Sequence, residues 1–405
     1  MKRVTILQGF WSKKREVVLT FPDKWKVDIC DMAADNWKKI SLREMKKAID
    51  NPIGCEKLEF LAKGKREAVI LFDDMTRPTK PYKIIPYILE KLKSGGIKKN
   101  NIRFIISTGS HGAHRLDEFK KKLGSDIVAN YPVYNHNCFE NCAYIGMSSS
   151  GVPIYLNKEF VSCDLKIGIG SVLPHVYCGF SGGGKIVVPG ISHIKTIDKF
   201  HSLRKGISGL GKQKKNIRAG SIEEAVRMAN FQLKIDFIMN TNGDEVACFA
   251  GDPISEFKEA VRLAKKAYLT PHGKDYDVII ANAYAKSNEA DLAIHNVIKL
   301  LNPKRGILIL ITHNPHGQIN HYLLRSYGKF ISGRCFKIRT FLKPKVKYII
   351  FSPYKGHSTF DTFDNPESLI WEKSWKHILK IIAGEFSRPK MAVFKDATIQ
   401  LLSKV

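Results

Sequence analysis

The fold class follows from residues 68–107 (AVILFDDMTRPTKPYKIIPYILEKLKSGGIKKNNIRFIIS). The apolar run Ala68–Phe72 is typical of a buried strand, and so is Ile102–Ser107. Between them, Tyr82–Leu92 has the spacing of a helix that ends near Gly95 and Gly96. A strand, a helix and a second strand in succession make a βαβ unit, and this unit predicts a parallel sheet.

The same alternation of short apolar runs and amphipathic stretches continues along the chain. Further strands are predicted at Leu165–Gly170, Val278–Ala281, Gly306–Thr312 and Val346–Ser352. Further helices are predicted over 115–124, from a capping box of Ser221 and Glu224, from the cap Asp252, over Glu289–Leu301 and over Met391–Leu402. The pattern therefore predicts an α/β protein with mainly parallel sheets.

The length of 405 residues predicts two domains. The periodic pattern is lost near residues 270–273 (TPHG), and a second set of strands and helices follows. We therefore predict an N-terminal α/β domain at 1–270 and a C-terminal α/β domain at 271–387, with residues 388–405 packing back on the first. In open α/β sheets, ligands bind beyond the carboxyl ends of the strands, so the segments after the predicted strands are the candidate sites.

Composition excludes several classes of protein. An apolar fraction of 44% with 26% charged residues is that of a globular chain. The longest apolar run, Gly306–Thr312, is far shorter than the ~20 residues of a membrane-spanning helix. Gln8 and Gly9 interrupt the N-terminal apolar stretch, which disfavours a secretory signal. We expect a cytoplasmic protein with reduced thiols, in which Cys138 and Cys142 lack the second cysteine pair of a zinc site.

The net charge of +28, from 66 basic and 38 acidic residues, is unusual. Three interpretations remain open, namely a lysine-rich solvated surface, anionic substrates or cofactors, and nucleic-acid binding. No aromatic RNA-binding motif or zinc-finger pattern accompanies the basic residues, so nucleic acid is the least favoured partner.

Two loops that follow predicted strands carry candidate chemistry. Residues 72–79 (FDDMTRPT) place Asp74 and Arg77 in one tight loop, where an arginine fork suits phosphate or carboxylate. Residues 107–115 (STGSHGAHR) frame His111 and His114 with small residues, and histidine suits acid–base catalysis because it titrates near neutrality. His111 is our candidate because it lies nearer the strand, although ordinary helix capping also explains both loops.

A third segment, residues 174–190 (PHVYCGFSGGGKIVVPG), is the most specific. Gly179–Lys185 has the spacing of a phosphate-binding P-loop. However, Ile186 stands where that motif has Ser or Thr for magnesium, and Pro189 cuts short the helix that should follow. We therefore interpret the segment as a Gly-rich loop that lets the backbone approach a ligand and that ends in Lys185.

Two further groups carry little information by themselves. His201 lies on a predicted helix, where a histidine is usually structural. Residues 288–299 (NEADLAIHNVIK) begin just past a predicted strand, and Asn296 and Lys299 share a helix face because they are three apart. This spacing also fits a solvated helix face.

Together these segments resemble the nickel-dependent lactate racemase family, whose members racemise or epimerise 2-hydroxy acids. The resemblance rests on the DDMTRPT loop, the TGSH turn and residues 174–190 followed by His201, and it extends more weakly to the helix near Lys299. It implies an isomerase with two α/β domains and a cofactor cleft between them. It also implies a nickel-pincer nucleotide (pyridinium-3,5-bisthiocarboxylic acid mononucleotide nickel), and therefore cofactor-biosynthesis proteins as partners.

The resemblance further implies roles for the residues that match the family. Lys185 would tether the cofactor, and His201 would ligate nickel, for which an imidazole is a suitable ligand beside sulfur. His111 and His175 would be the two acid–base residues on either side of the substrate C2 atom.

For the remaining matches, the resemblance implies contacts with ligand groups. Asp74 and Arg77 would face the phosphate end of the cofactor or the substrate. Asn296, where the family often has Gln, and Lys299 would meet the substrate carboxylate.

Two departures from the family pattern concern the substrate. Gly184 stands where Arg is common, and Asp291-Leu292-Ala293 stands where lactate racemases have Asp-Gln-Asn. The second departure favours a larger or more apolar pocket than lactate needs. The sequence thus favours a racemase of a lactate-like 2-hydroxy acid. The alternatives are a C2 epimerase of a longer sugar acid on the same fold, and a nucleotide-dependent phosphotransferase that uses Gly179–Lys185.

Overall fold

Two six-stranded sheets organise the chain. The computed structural model describes residues 1–203, 210–211, 216–323 and 342–403. The spatial order of the first sheet is Glu245–Gly251, Leu233–Met239, Leu165–Ser171, Ala68–Asp73, Ile102–Ser107 and Val133–Asn135. Its first two strands are antiparallel, and all other neighbours are parallel.

The second sheet is parallel throughout its six strands. Its spatial order is Leu369–Glu372, Val346–Phe351, Gly306–Ile311, Val278–Asn282, Lys390–Phe394 and Lys26–Cys30. Every residue of Val278–Asn282 and Gly306–Ile311 is buried, as expected for central strands of a parallel sheet with both faces covered.

Four two-stranded ribbons accompany these sheets. They pair Lys2–Gln8 with Arg15–Phe21, Cys142–Met147 with Pro153–Asn157, Pro174–His175 with Gly179–Phe180, and Leu269–Thr270 with Leu401–Leu402. The last pair is parallel and the other three are antiparallel.

Helices pack against both sheets, as Ser255–Ala267 does on Leu233–Met239 and Asp291–Val297 does on Val278–Asn282. The other described α-helices are Leu42–Asp50, Leu58–Leu61, Ile85–Ser94, Leu116–Leu123, Ser125–Asn130, Lys158–Ser162, Ile194–Ser202, Ile217–Met228, His357–Phe360 and Trp375–Glu385. Short 3-10 helices lie at Ala33–Asn36, Pro81–Lys83, Lys99–Asn101, Gly183–Ile186, Ser287–Glu289, Ile298–Leu300 and Pro366–Ser368. Within the described ranges, no helix has the length and apolar character needed to cross a membrane.

The predicted strands are confirmed to within a residue or two, whereas three helix predictions need correction. The helix predicted to begin at Ser221 begins at Ile217, because the Asn216 side chain caps it by accepting from the Arg218 N–H. Ser221 instead lies inside the helix and its hydroxyl donates to the Ile217 carbonyl, a bond that Ser can make mid-helix. The helix predicted over Glu289–Leu301 is interrupted by 3-10 turns at both ends.

The C-terminal segment differs most from its prediction. Lys390–Phe394 is a strand of the second sheet and not part of a helix. Periodicity cannot separate a short run that is buried on both faces from a buried helix, which explains the error. The segment 388–405 therefore does not simply return to the first domain, since only Leu401–Leu402 pairs with Leu269–Thr270. Lys26–Cys30 also joins the second sheet, and the division into two domains stays a prediction.

His136 is a buried histidine whose ring bonds on both sides. Its Nε2 donates to the Ser192 carbonyl at 2.9 Å, and its Nδ1 accepts from the Asn157 amide at 3.3 Å. Burial lowers the pKa of His136 from 6.5 to about 4. Between these values the unfolded chain binds a proton that the folded chain does not, so this residue's contribution to stability is complete above pH 6.5 and is lost on acidification.

We therefore predict that His136→Gln reduces the acid sensitivity of the fold, because its amide keeps a donor for Ser192 and cannot titrate. Between pH 7 and pH 5, the free energy of unfolding measured with urea should fall by about 2 kcal/mol less in the variant than in the parent. The exposed His377→Gln should retain the parental fall. Equal falls in parent and His136→Gln would contradict the prediction.

Candidate active site

A cavity of about 380 Å³ lies at the carboxyl ends of strands from both sheets. Its lining includes the loops after Ala68–Asp73, Ile102–Ser107 and Leu165–Ser171, and the segment after Val278–Asn282. Seven of the eight predicted site residues line it, and these are Asp74, Arg77, His111, His175, Lys185, His201 and Asn296. Loops that are distant in sequence meet here because parallel strands end at the same edge of a sheet.

Asp74 orients His111. Nδ1 of His111 lies 2.5 Å from Oδ2 of the buried Asp74 carboxylate. Burial would raise the pKa of Asp74, but the His111 imidazole holds it well below the usual range, so the carboxylate is ionised and accepts the Nδ1 proton. With Nδ1 donating to Asp74, the His111 ring presents Nε2 to the cavity, and a neutral ring in this orientation has the lone pair of a general base there.

His114, the other histidine of this loop, does not line the cavity. Its Nδ1 lies 3.2 Å from Oε2 of Glu118, and the residue contributes to a separate, smaller cavity. The position of the two rings supports His111 over His114 as the acid–base candidate.

His175 has the opposite hydrogen-bonding pattern to His111. Its Nδ1 accepts from the backbone N–H groups of Tyr177 and Cys178 at 3.2 and 3.3 Å. Burial and the nearby Lys185 ammonium lower the pKa of His175 well below its ordinary value, so the ring is neutral. A neutral ring whose Nδ1 accepts has its proton on Nε2, and His175 is therefore a hydrogen-bond donor in this arrangement.

His201, on the helix Ile194–Ser202, has a free ring nitrogen suited to a metal. Its Nδ1 donates to the Ile197 carbonyl at 2.7 Å, which leaves the lone pair on Nε2. Burial lowers the pKa of His201 to about 4, so the ring is neutral at physiological pH. Metal-bound histidines commonly hold their second N–H on a backbone carbonyl in this way.

Within residues 1–203, 210–211, 216–323 and 342–403, no three His, Cys, Asp or Glu side chains converge as a metal site. This includes Cys138 and Cys142 with His136. A metal on His201 would therefore take its other ligands from a bound molecule.

Lys185 is held by the tightly packed Gly-rich loop. Gly182 and Gly183 have φ values of 102° and 51°, which a side chain would disfavour. The Gly183 N–H donates to the buried Asp236 carboxylate at 2.6 Å, and Lys185 follows two residues later. Burial lowers the pKa of Lys185 to about 8, so a sizeable fraction of its amine is neutral and nucleophilic near that pH.

The cations of the cavity differ from those predicted. Lys299 is exposed on the 3-10 turn Ile298–Leu300 and does not line the cavity, so the structure does not place it for substrate binding. Lys286 and Arg77 do line it, and they contact the same Glu289 carboxylate at 2.6 and 3.2 Å. Sequence reasoning missed Lys286 because no motif surrounds it.

Asn296 lines the cavity but its amide has a structural role. The Nδ2 group donates to the carbonyls of Ala397 and Gln400 at 3.0 and 2.5 Å. These bonds attach the helix Asp291–Val297 to the C-terminal segment. The predicted contact of Asn296 with a substrate carboxylate would have to use its amide oxygen or break these bonds.

His321 is a further cavity histidine that the sequence did not single out. Its ring centroid lies 5.0 Å from that of His111 and 6.4 Å from that of His201. Its Nδ1 lies 3.2 Å from the Ser110 hydroxyl, and the backbones of Tyr322 and Ser110 are hydrogen-bonded. The only signal in the sequence was its location downstream of the strand Gly306–Ile311.

Comparison with known proteins gives consistent results. Residues 12–209 match the family model of the lactate racemase N-terminal domain. A lactate racemase of Lactiplantibacillus plantarum is 33% identical over 276 residues, and one of Thermoanaerobacterium thermosaccharolyticum is 29% identical over 276 residues. Each alignment covers 66% of this chain and 64% of the relative.

Solved structures share the fold. The lactate racemase apoprotein from Thermoanaerobacterium thermosaccharolyticum superposes with a TM-score of 0.76 at 22% identity, over the whole of both chains. A crystal structure of a Thermotoga maritima protein gives a TM-score of 0.67 at 16% identity, covering 90% of this chain and 99% of that one. Over residues 12–209 the chain is therefore similar to the lactate racemase N-terminal domain, and it shares its fold with a lactate racemase apoprotein.

Proposed function

We propose that this chain is an isomerase that inverts C2 of a lactate-like 2-hydroxy acid with the help of a nickel-pincer nucleotide. The observation that carries the proposal is the convergence of His111, His175, Lys185 and His201 on one cavity. The name of the curated relatives, lactate racemase, supports the reaction class.

The residues of the cavity fit this cofactor. The cavity volume of about 380 Å³ lies in the range of small-molecule sites. His201 presents Nε2 to a metal, and Lys185 presents an amine whose pKa is lowered to about 8 by burial. Such a cofactor would supply a hydride acceptor for C2 of the substrate.

The protein must then move the hydroxyl proton. His111 takes this proton on Nε2, and the ionised Asp74 stabilises the imidazolium that forms. His175 donates a hydrogen bond from Nε2 to the same substrate oxygen and polarises the carbonyl of the 2-keto acid, as a neutral imidazole can. For His175 to act as base in the opposite direction, its proton must move from Nε2 to Nδ1, which then no longer accepts from the Tyr177 and Cys178 N–H groups.

Arg77 and Lys286 are the cavity cations that we assign to the substrate carboxylate, in place of Lys299. Leu292 lines the same cavity, which favours a substrate with a larger or more apolar group than the lactate methyl. A C2 epimerase of a longer sugar acid remains the second candidate on this fold. The phosphotransferase alternative is disfavoured because Ile186 packs into a hydrophobic core cluster and provides no magnesium ligand.

The setting of the enzyme follows from this assignment. We propose a cytoplasmic protein that receives its cofactor from separate biosynthesis proteins and acts on a small molecule. We also propose that the two sheets belong to two domains, with the cofactor site where their loops meet.

Lys185→Ala tests the tether. In protein co-expressed with cofactor-biosynthesis enzymes, intact-mass spectrometry should show a covalent adduct on the parent and none on the variant, because the nucleophilic amine is gone. Lys286→Ala is the matched control, since it removes another buried amine of the cavity and should keep the adduct. An adduct that persists on Lys185→Ala at another lysine would refute the assignment.

His201→Ala tests the metal ligand. We expect the nickel content of the co-expressed, purified protein to drop by roughly tenfold or more, because a direct ligand is removed, while circular dichroism stays unchanged. His321→Ala removes a neighbouring ring and should retain nickel, since we do not assign that ring to the metal. Nickel stoichiometry equal to the parent's would rule out His201 as a ligand.

His111→Ala tests the base. Racemisation should slow roughly 10²–10⁴-fold in both directions, the usual contribution of a positioned acid or base. Cofactor adduct and nickel content should be unchanged, since His111 is not assigned to either. His377→Ala, at an exposed position outside the cavity, is the control. A rate within a few-fold of the parent's would exclude His111 from proton transfer.

A further inference from the structure

A second cavity, of about 170 Å³, lies next to the active site. It is lined by the turn at residues 9–12, by Met75, by residues 112–114, 118 and 121, by 287–288 and by segments within 313–320. Ile319 lines both cavities, and His111, in the active site, directly precedes Gly112 of the second one. Like the active site, the second cavity lies beyond the carboxyl ends of strands, here Ile102–Ser107 and Gly306–Ile311.

Four residues of this cavity have buried polar atoms without a partner in the described part of the chain. The atoms are Trp11 Nε1, His114 Nε2, Asn288 Oδ1 and both ring nitrogens of His313. His114 and His313 are only 6% and 7% exposed. Because burying a polar group without a hydrogen-bond partner is unfavourable, four such residues around one cavity indicate a bound partner.

Other polar side chains that line the second cavity do have hydrogen-bond partners. Gln318 lines the same cavity, and its side chain is fully engaged: Nε2 donates to the Ser287 carbonyl at 3.0 Å and Oε1 accepts from the Ala290 N–H at 2.8 Å. The Asn288 Nδ2 group is also engaged, since it donates to the Met75 carbonyl at 3.2 Å. Unsatisfied hydrogen-bonding capacity is thus confined to a few atoms.

The unpaired atoms comprise both donors and acceptors. Trp11 Nε1 donates, and Asn288 Oδ1 accepts. Burial lowers the pKa of His313 to about 4, so its neutral ring supplies one donor and one acceptor. His114 directs Nδ1 to the Glu118 carboxylate, and its Nε2 is the ring atom left without a partner.

The charge and the aromatic lining narrow the class of ligand. The lining has one carboxylate, Glu118, and one ammonium, Lys121, so it offers an ion no excess of opposite charge. Hydroxyl groups both donate and accept, so they match a wall that needs both. Phe10 and Trp11 add aromatic surface that C–H groups of a ligand can cover.

We propose that the second cavity is a binding site for a small uncharged polyol, distinct from the site of the 2-hydroxy acid. A volume of about 170 Å³ equals roughly five to six waters, which corresponds to a polyol of three or four carbons. The proposal does not depend on the racemase assignment, because it rests on other atoms and needs no cofactor.

Erythritol is the probe for this site, and Trp11 is the reporter. In ¹H–¹⁵N spectra of the full chain, the indole signal of Trp11 is identified by its loss in Trp11→Phe. Titration of the parent with erythritol should shift this signal saturably, because the indole N–H gains a hydroxyl acceptor. Succinate, an anion of similar length, and n-butanol, with a single hydroxyl, should produce no saturable shift.

Calorimetry separates the contribution of individual groups. Trp11→Phe removes the indole donor, and Asn288→Ala removes the amide acceptor together with the bond to Met75, so each should raise the Kd of erythritol roughly fivefold. His316→Ala, at an exposed position of the same lining, should leave the Kd unchanged. Saturation by succinate instead of erythritol would overturn the proposed ligand class. If the Trp11 signal of the parent shifts only linearly with erythritol concentration, the polyol does not bind and water alone occupies the cavity. This test uses the parent protein, so it does not depend on whether a variant folds.

Discussion

The position of the active-site groups depends on how tightly the Gly-rich loop is packed. A Cβ atom on Gly184 would lie 2.3 Å from Cγ2 of Val226, and one on Gly183 would lie 2.6 Å from the Phe257 ring. The loop is therefore confined between the helices Ile217–Met228 and Ser255–Ala267. This packing also accounts for Gly184, the residue at which the chain departs from the family's common Arg: a side chain there would displace the helix.

The buried ion pair of Lys234 and Asp236 also holds the Gly-rich loop in place. Asp236 accepts the Gly183 N–H and lies 2.5 Å from the Lys234 ammonium, and both side chains are fully buried. A buried carboxylate without a cation would be strongly unfavourable, so the contact with Lys234 stabilises Asp236 in the position where it holds the loop. The position of Lys185 then follows from the backbone, and its amine is buried enough for its pKa to fall to about 8. The packing of the Gly-rich loop and its bond to Asp236 thus set the position and burial of the Lys185 amine.

The sequence predicted which loops form the site better than it predicted the hydrogen bonds within it. Ala68–Asp73, Ile102–Ser107 and Leu165–Ser171 are long apolar runs with clear ends, so the loops after them could be identified in advance. The tautomers of His111 and His175 could not be predicted, because they depend on Asp74 and on backbone N–H groups that only the folded chain brings near. A motif names a residue, but its hydrogen-bond partners determine which nitrogen carries the proton.

Lys299 and Lys286 illustrate a second limit of the sequence. The spacing of Asn296 and Lys299 predicts a shared face only if the helix is continuous, but the α-helix ends at Val297 and a 3-10 turn follows. Lys286 precedes the helix, where no periodicity applies, and only the fold brings it to the cavity. Its ammonium shares the Glu289 carboxylate with Arg77, so a buried cation and a partly buried cation from distant parts of the chain share one anion. The Asp74 carboxylate also acts on both cations, so the proposed contact with a substrate carboxylate rests on where Lys286 and Arg77 lie and not on an excess of positive charge.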